Sequence, residues 1–126
     1  MLYFAQKLLN TELAKDFRKR LLLCPEWIEG NNSAQGKDVK SGKKNLQLNT
    51  GKSYELLSQE IINILMENEL IKRTLFPLRI FNILFTRTSE GMYYSPHMDV
   101  PYISSGRRDL SFTIFLNKQE SYKGGE

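Results

Sequence analysis

Hydrophobic positions along the first half of the chain fall mostly at helical spacing. Leu13, Phe17 and Leu21 recur at i, i+4 and i+8, which is one face of a helix, while Lys15, Arg18 and Lys19 fall elsewhere. Asn10 or Thr11 offers an N-cap, Glu12 puts a negative charge in the first turn, and Pro25 stops the helix. Ahead of it, Leu2 to Phe4 reads as a short strand. Trp27-Ile28 reads as a brief extended piece entering a loop of Gly30, Asn31, Asn32, Ser33 and Gly36. From Asn45 to Asn49 apolar and polar residues alternate, the pattern of a half-buried strand. Ser53 is placed to cap a second helix, with Leu57, Ile61, Ile64 and Leu65 as its apolar stripe. Pro77 closes this half.

From Leu78 onward the period changes to two. Residues 78–86, 92–98 and 109–116 are three strand-like runs rich in Ile, Phe, Thr and Tyr, separated by the turn signals Ser89-Glu90-Gly91 and Ser104-Ser105-Gly106. In the third run Leu110, Phe112, Ile114 and Leu116 face one way, and Ser111, Thr113 and Phe115 the other, leaving a partly polar surface of the kind that lines a cavity. Helices followed by consecutive strands predict an α+β fold with helices on one side of an antiparallel sheet. Tyr122 to Glu126 reads as a turn leading into a further strand. Three principal strands do not close a sandwich or barrel, so the chain is read as truncated, a single domain with residues 1–77 as support and 78–126 as the first core strands.

Composition narrows the class. The 126 residues suffice for one core, and 40% hydrophobic with 25% charged residues is the balance of a globular protein. The net charge of +4 owes part of its excess to Lys37, Lys40, Lys43 and Lys44, read as a solvated lysine-rich loop. No aromatic residue interleaves with those lysines, so no stacking platform for nucleic acid is indicated. The single Cys24 excludes an internal disulfide and fits a reducing compartment; before Pro25 it reads as a small buried residue at a helix end. There is no signal-peptide pattern and no run of membrane-span length, so a cytoplasmic location is expected.

The candidate chemistry lies at His97-Met98-Asp99, which holds the one histidine of the chain. In an extended strand residues i and i+2 project to the same face, so the imidazole and the carboxylate can converge on one point. One imidazole and one carboxylate supply two of the three ligands of the facial triad of non-heme iron(II) oxygenases. Either the pair is not a complete metal site, or the polypeptide is not the complete domain. Tyr94, three residues before His97, falls on the opposite side of the strand if extended geometry holds, unless the turn or Pro96 reorients it, and is given no chemistry.

Several segments occur in a familiar order: Trp27 to Gly30, Lys44 to Leu48, Gly91 to Asp99, Arg108 to Leu116, and Tyr122 to Glu126. In this order they resemble the PKHD-type hydroxylases, a branch of the prolyl-hydroxylase-like iron(II)/2-oxoglutarate dioxygenases. The resemblance implies a double-stranded β-helix, or jelly roll, with N-terminal buttressing helices. It implies iron(II) held by His97 and Asp99, with a second histidine and the arginine that pairs with the distal carboxylate of 2-oxoglutarate both beyond Glu126. It also implies 2-oxoglutarate and dioxygen as cosubstrates, ascorbate as reductant, and a protein or amino-acid-type substrate. Where family members carry an Arg-Tyr pair this chain has Arg87-Thr88, and where prolyl hydroxylases place a tyrosine it has Phe115. Both changes remove a phenol donor, which leaves cosubstrate hydrogen bonding to Thr113 or to later residues; the alternative for Thr113 is a strand residue satisfied locally. Two other functions stand beside this one: a non-enzymatic basic binding module in which His97 is structural, and a dioxygenase acting on nucleic-acid bases.

Overall fold

The computed structural model describes residues 5–33 and 40–124. The strand expected at Leu2 to Phe4 lies outside these, as do Gly36 and Lys37. The described residues form two compact units. One comprises those up to Pro25 together with those from Ser111 on, and the other runs from Glu26 to Leu110.

In the first unit, α1 (Thr11–Leu23) starts where the sequence places it. Asn10 is extended, and its side-chain carbonyl accepts the Leu13 N–H at 2.8 Å. This satisfies one of the donors a helix start leaves unpaired. Glu12 sits in the first turn and Arg20 in the last, matching the helix dipole at both ends. Phe17 and Leu21 are buried and Leu13 is half-buried. Cys24 is the C-cap and half-buried, short of the full burial expected, with its thiol donating to the Arg20 carbonyl at 3.3 Å. The run at 109–116 is a correction. Residues 111–116 carry no strand assignment, and Phe112 and Phe115 are exposed. Alternation selects a face, but a strand exists only with a neighbour's ladder of hydrogen bonds.

The second unit holds the remaining elements. Strand β1 (Trp27–Glu29) enters a 3-10 turn at Gly30–Ser33; β2 (Lys43–Lys44) and β3 (Leu46–Leu48) follow. Next come α2 (Lys52–Glu67) and α3 (Glu69–Leu75), then four two-residue strands: β4 (Thr86–Arg87), β5 (Tyr93–Tyr94), β6 (Tyr102–Ile103) and β7 (Gly106–Arg107). All strand pairs are antiparallel, in the order β1-β3-β4, with β2-β5 and β6-β7 as separate pairs. The chain is thus mixed α+β. The expected alternation at 45–49 yields β3 at the centre of its sheet, with Leu48 buried. The long runs at 78–86 and 92–98 contribute only β4 and β5, fewer residues than their composition suggests.

Helix α2 buries Leu57, Ile61 and Leu65, three of its four expected stripe residues, with Ile64 half-buried. Its start differs from expectation: Gly51 is the N-cap, without a side-chain cap bond, and Ser53 already lies inside the helix. Tyr54 ties α2 to the segment before β4, donating its hydroxyl to the Ile83 carbonyl at 2.7 Å and meeting the Phe85 ring edge-on at 6.1 Å. The short α3 was not expected; Asn68 creates it by accepting the Ile71 N–H at 3.0 Å. The two turn signals are observed, with Gly91 at φ 77° and Gly106 at φ 134°, regions where a side chain is strained. No helix among the described residues is long and apolar enough to cross a membrane.

Candidate metal site

The site begins at the β2-β5 pair. Its register sets Lys43 directly opposite Tyr94, so the two side chains share a face, and the Lys43 ammonium lies 4.9 Å from the centre of the Tyr94 ring. The ladder runs one bond further, from the Ser95 N–H to the Gly42 carbonyl at 2.8 Å. Pro96 then has no N–H to continue it.

Freed from the strand, the chain turns and brings His97 back over Tyr94. The two rings stack at 3.9 Å between centres with 14° between planes. Of the two positions open to Tyr94, the structure has the one in which the turn at Pro96 reorients the chain. The parity of an extended strand fails here because β5 ends at Tyr94 and Pro96 breaks the ladder.

His97 has its own anchor. Its Nδ1 lies 2.9 Å from the Ser95 carbonyl oxygen. A carbonyl only accepts, so Nδ1 carries a proton, and in the neutral ring Nε2 then keeps its lone pair. That Nε2 stands 3.7 Å from Asp99 Oδ1. The imidazole is 27% exposed and the Asp99 side chain 52%. Residues 95–100 are not in a strand, so the convergence of the pair comes from this turn and not from strand pleating.

The donor set fits a divalent cation. First-row metals take imidazole nitrogen and carboxylate oxygen at about 2.0–2.2 Å, so two donors less than about 4.2 Å apart can reach one ion. A ligating histidine ordinarily donates its other N–H to a carbonyl or carboxylate, as His97 does. Among the described residues no group of three or more His, Cys, Asp or Glu side chains converges, so the pair offers two candidate donors.

Lys43 is the second correction. Expected in a solvated loop, it is only 6% exposed. Its ammonium donates to the Ser33 hydroxyl at 2.7 Å, and that hydroxyl donates onward to the Gly30 carbonyl at 2.9 Å. Burial holds the Lys43 pKa below the usual lysine value. Lys40 and Lys44 are exposed, as expected. Burial, and after it the negative charge of Asp99, pushes the Tyr94 phenol above its usual value. Composition hid Lys43, since a run of lysines looks solvated. The signal that would have found it is the pairing of 43–44 with 93–94.

Thr113 is exposed and lies in the first unit. Arg87 pairs with Leu46 across β3 and β4, and Arg107 with Asp109 at 2.7 Å, both exposed.

No protein-family model and no solved structure matches the chain. Curated relatives do. A PKHD-type hydroxylase of Prochlorococcus marinus strain MIT 9301 is 39% identical across the whole chain, which covers 58% of that protein. The counterpart in strain MIT 9515 is 39% identical over the same shares. In strain MIT 9211 the identity is 43% over 79% of the chain and 45% of the relative. The chain spans about 58% of the length of the relatives that match it throughout. Along its entire length, then, the chain is homologous to the PKHD-type hydroxylases.

Proposed function

We propose that the whole protein is an iron(II)- and 2-oxoglutarate-dependent hydroxylase in which His97 and Asp99 hold the metal. One observation carries the reading: the Ser95 carbonyl fixes the imidazole tautomer, so that Nε2 and the Asp99 carboxylate face the same 3.7 Å gap. The homology supplies the class of chemistry. Bound iron(II), with 2-oxoglutarate and dioxygen, supplies the oxidising power for hydroxylation. The chain's own share is positional. Ser95 holds the Nδ1 proton, Nε2 presents its lone pair, and Asp99 adds negative charge against the cation.

The same proposal includes a jelly roll completed beyond residue 126, and a second histidine and a 2-oxoglutarate-binding arginine there. Thr113 is its candidate for a cosubstrate hydrogen bond. Ascorbate serves as reductant, and the substrate is of protein or amino-acid type.

The test is succinate release from 2-oxoglutarate by the protein expressed at its relatives' length. Activity that depends on iron(II) and is lost in His97→Ala and in Asp99→Ala is the expected result. Undiminished succinate release in either variant would contradict the assignment. The 126-residue chain alone is expected to bind metal weakly and to release no succinate.

A further inference from the structure

Lys43 is buried, yet among the described residues its ammonium meets no carboxylate. It meets the Ser33 hydroxyl and the face of the Tyr94 ring. Burying an ammonium is costly unless something compensates, and a methionine of similar length would fill the space without that cost. The charge has one further consequence along the same line of contacts. Tyr94 carries the cation within 4.9 Å of its ring centre and stacks on His97 at 3.9 Å. A cation held by Ser33 and by the cross-strand register fixes where the Tyr94 ring can lie. The ring in turn fixes the plane of the imidazole.

We propose that Lys43 is a positioning residue for the metal site, clamping the Tyr94 ring so that the His97 imidazole keeps Nε2 turned toward Asp99. The metal side of this inference rests on the function proposed above; the clamp on the ring does not. Two anchors hold the imidazole: the Ser95 carbonyl fixes its Nδ1 edge, and the Tyr94 face fixes its plane. With the Lys43 charge removed, Tyr94 leaves its place and His97 keeps only the edge contact.

The experiment compares His97 ring-proton resonances and zinc(II) affinity, at one fixed pH, in the unaltered chain and in four variants. Protons above an aromatic face are shielded, so Lys43→Met moves the His97 resonances downfield and weakens zinc(II) about tenfold, within the range known for residues that orient a metal ligand. Lys43→Arg keeps a cation over the ring and restores both readouts. Tyr94→Leu reproduces the loss. Lys40→Met, on an exposed lysine, changes nothing. If Lys43→Met does not fold, Lys43→Gln, which keeps a donor toward the Ser33 hydroxyl but carries no charge, takes its place; Tyr94→Leu, at a 41% exposed residue, tests the ring's contact with His97. Unmoved His97 resonances in the folded Lys43→Met or Lys43→Gln chain overturn the proposal, as does an arginine variant as perturbed as the uncharged one. If the resonances move but no form of the chain binds zinc(II) through His97, the metal assignment fails and the clamp stands.

Discussion

Tyr94 lies face to face with His97, its ring centre 3.9 Å from that of the imidazole, although three residues separate them in a chain that enters the site as a strand. The tyrosine thus belongs to the candidate site as much as the histidine does. Its phenol is also within electrostatic reach of Asp99.

That environment gives Tyr94 a pH signature. Burial first, and Asp99 second, raise its pKa above 10.0 in the folded chain. The unfolded chain therefore loses this proton first as pH rises, and the folded state loses stability between 10.0 and the higher folded value. A difference titration by phenolate absorbance, unaltered chain minus Tyr94→Phe, should show ionisation later than that of an exposed tyrosine. Asp99→Asn should bring it part of the way back. A Tyr94 that titrates at 10.0 with Asp99 intact would refute the coupling.

The two helix starts call for opposite results. Asn10→Ala removes the acceptor for the Leu13 N–H and should cost about 1 kcal/mol in urea unfolding. Ser53→Ala removes no cap, because Gly51 holds that position, and should leave the midpoint nearly unchanged. Equal losses at both positions would mean the start of α2 is misplaced.

Gly30 supports the far end of the Lys43 chain of contacts. A Cβ at this position would come within 1.9 Å of Asn45 Oδ1 and 3.0 Å of the Asn45 backbone oxygen. Overpacking of this kind costs about 1–3 kcal/mol, so Gly30→Ala should unfold at clearly lower urea. Adding Asn45→Ala should recover part of the loss by removing the side-chain collision. No recovery in the double variant would place the collision on the backbone alone.

Local signals were legible wherever a short-range rule decides the structure. Asn10, Glu12 and Pro25 bracket α1 because capping and chain termination depend on neighbouring residues, and the alternation at 45–49 marks β3 for the same reason. Asn68 escaped notice because it both ends α2 and caps α3, a double role that a continuous apolar pattern conceals. The run at 109–116 has strand composition, but composition names no partner. His97 and Asp99 could be singled out as a pair from their spacing. The rest of their surroundings could not, because Lys43 reaches Tyr94 through a pairing fifty-one residues long in sequence, and Tyr94 reaches His97 through a turn that ends the strand parity.

The central claim is that His97 and Asp99 bind one divalent metal through Nε2 and a carboxylate oxygen. Nitrogen-15 resonances of the His97 ring during zinc(II) titration test it most directly, because they report the two ring nitrogens separately. The account predicts that Nε2 shifts saturably while Nδ1 stays protonated on the Ser95 carbonyl, and that Asp99→Ala abolishes the shift. A titration that leaves Nε2 unmoved, or that moves it equally in Asp99→Ala, would contradict it.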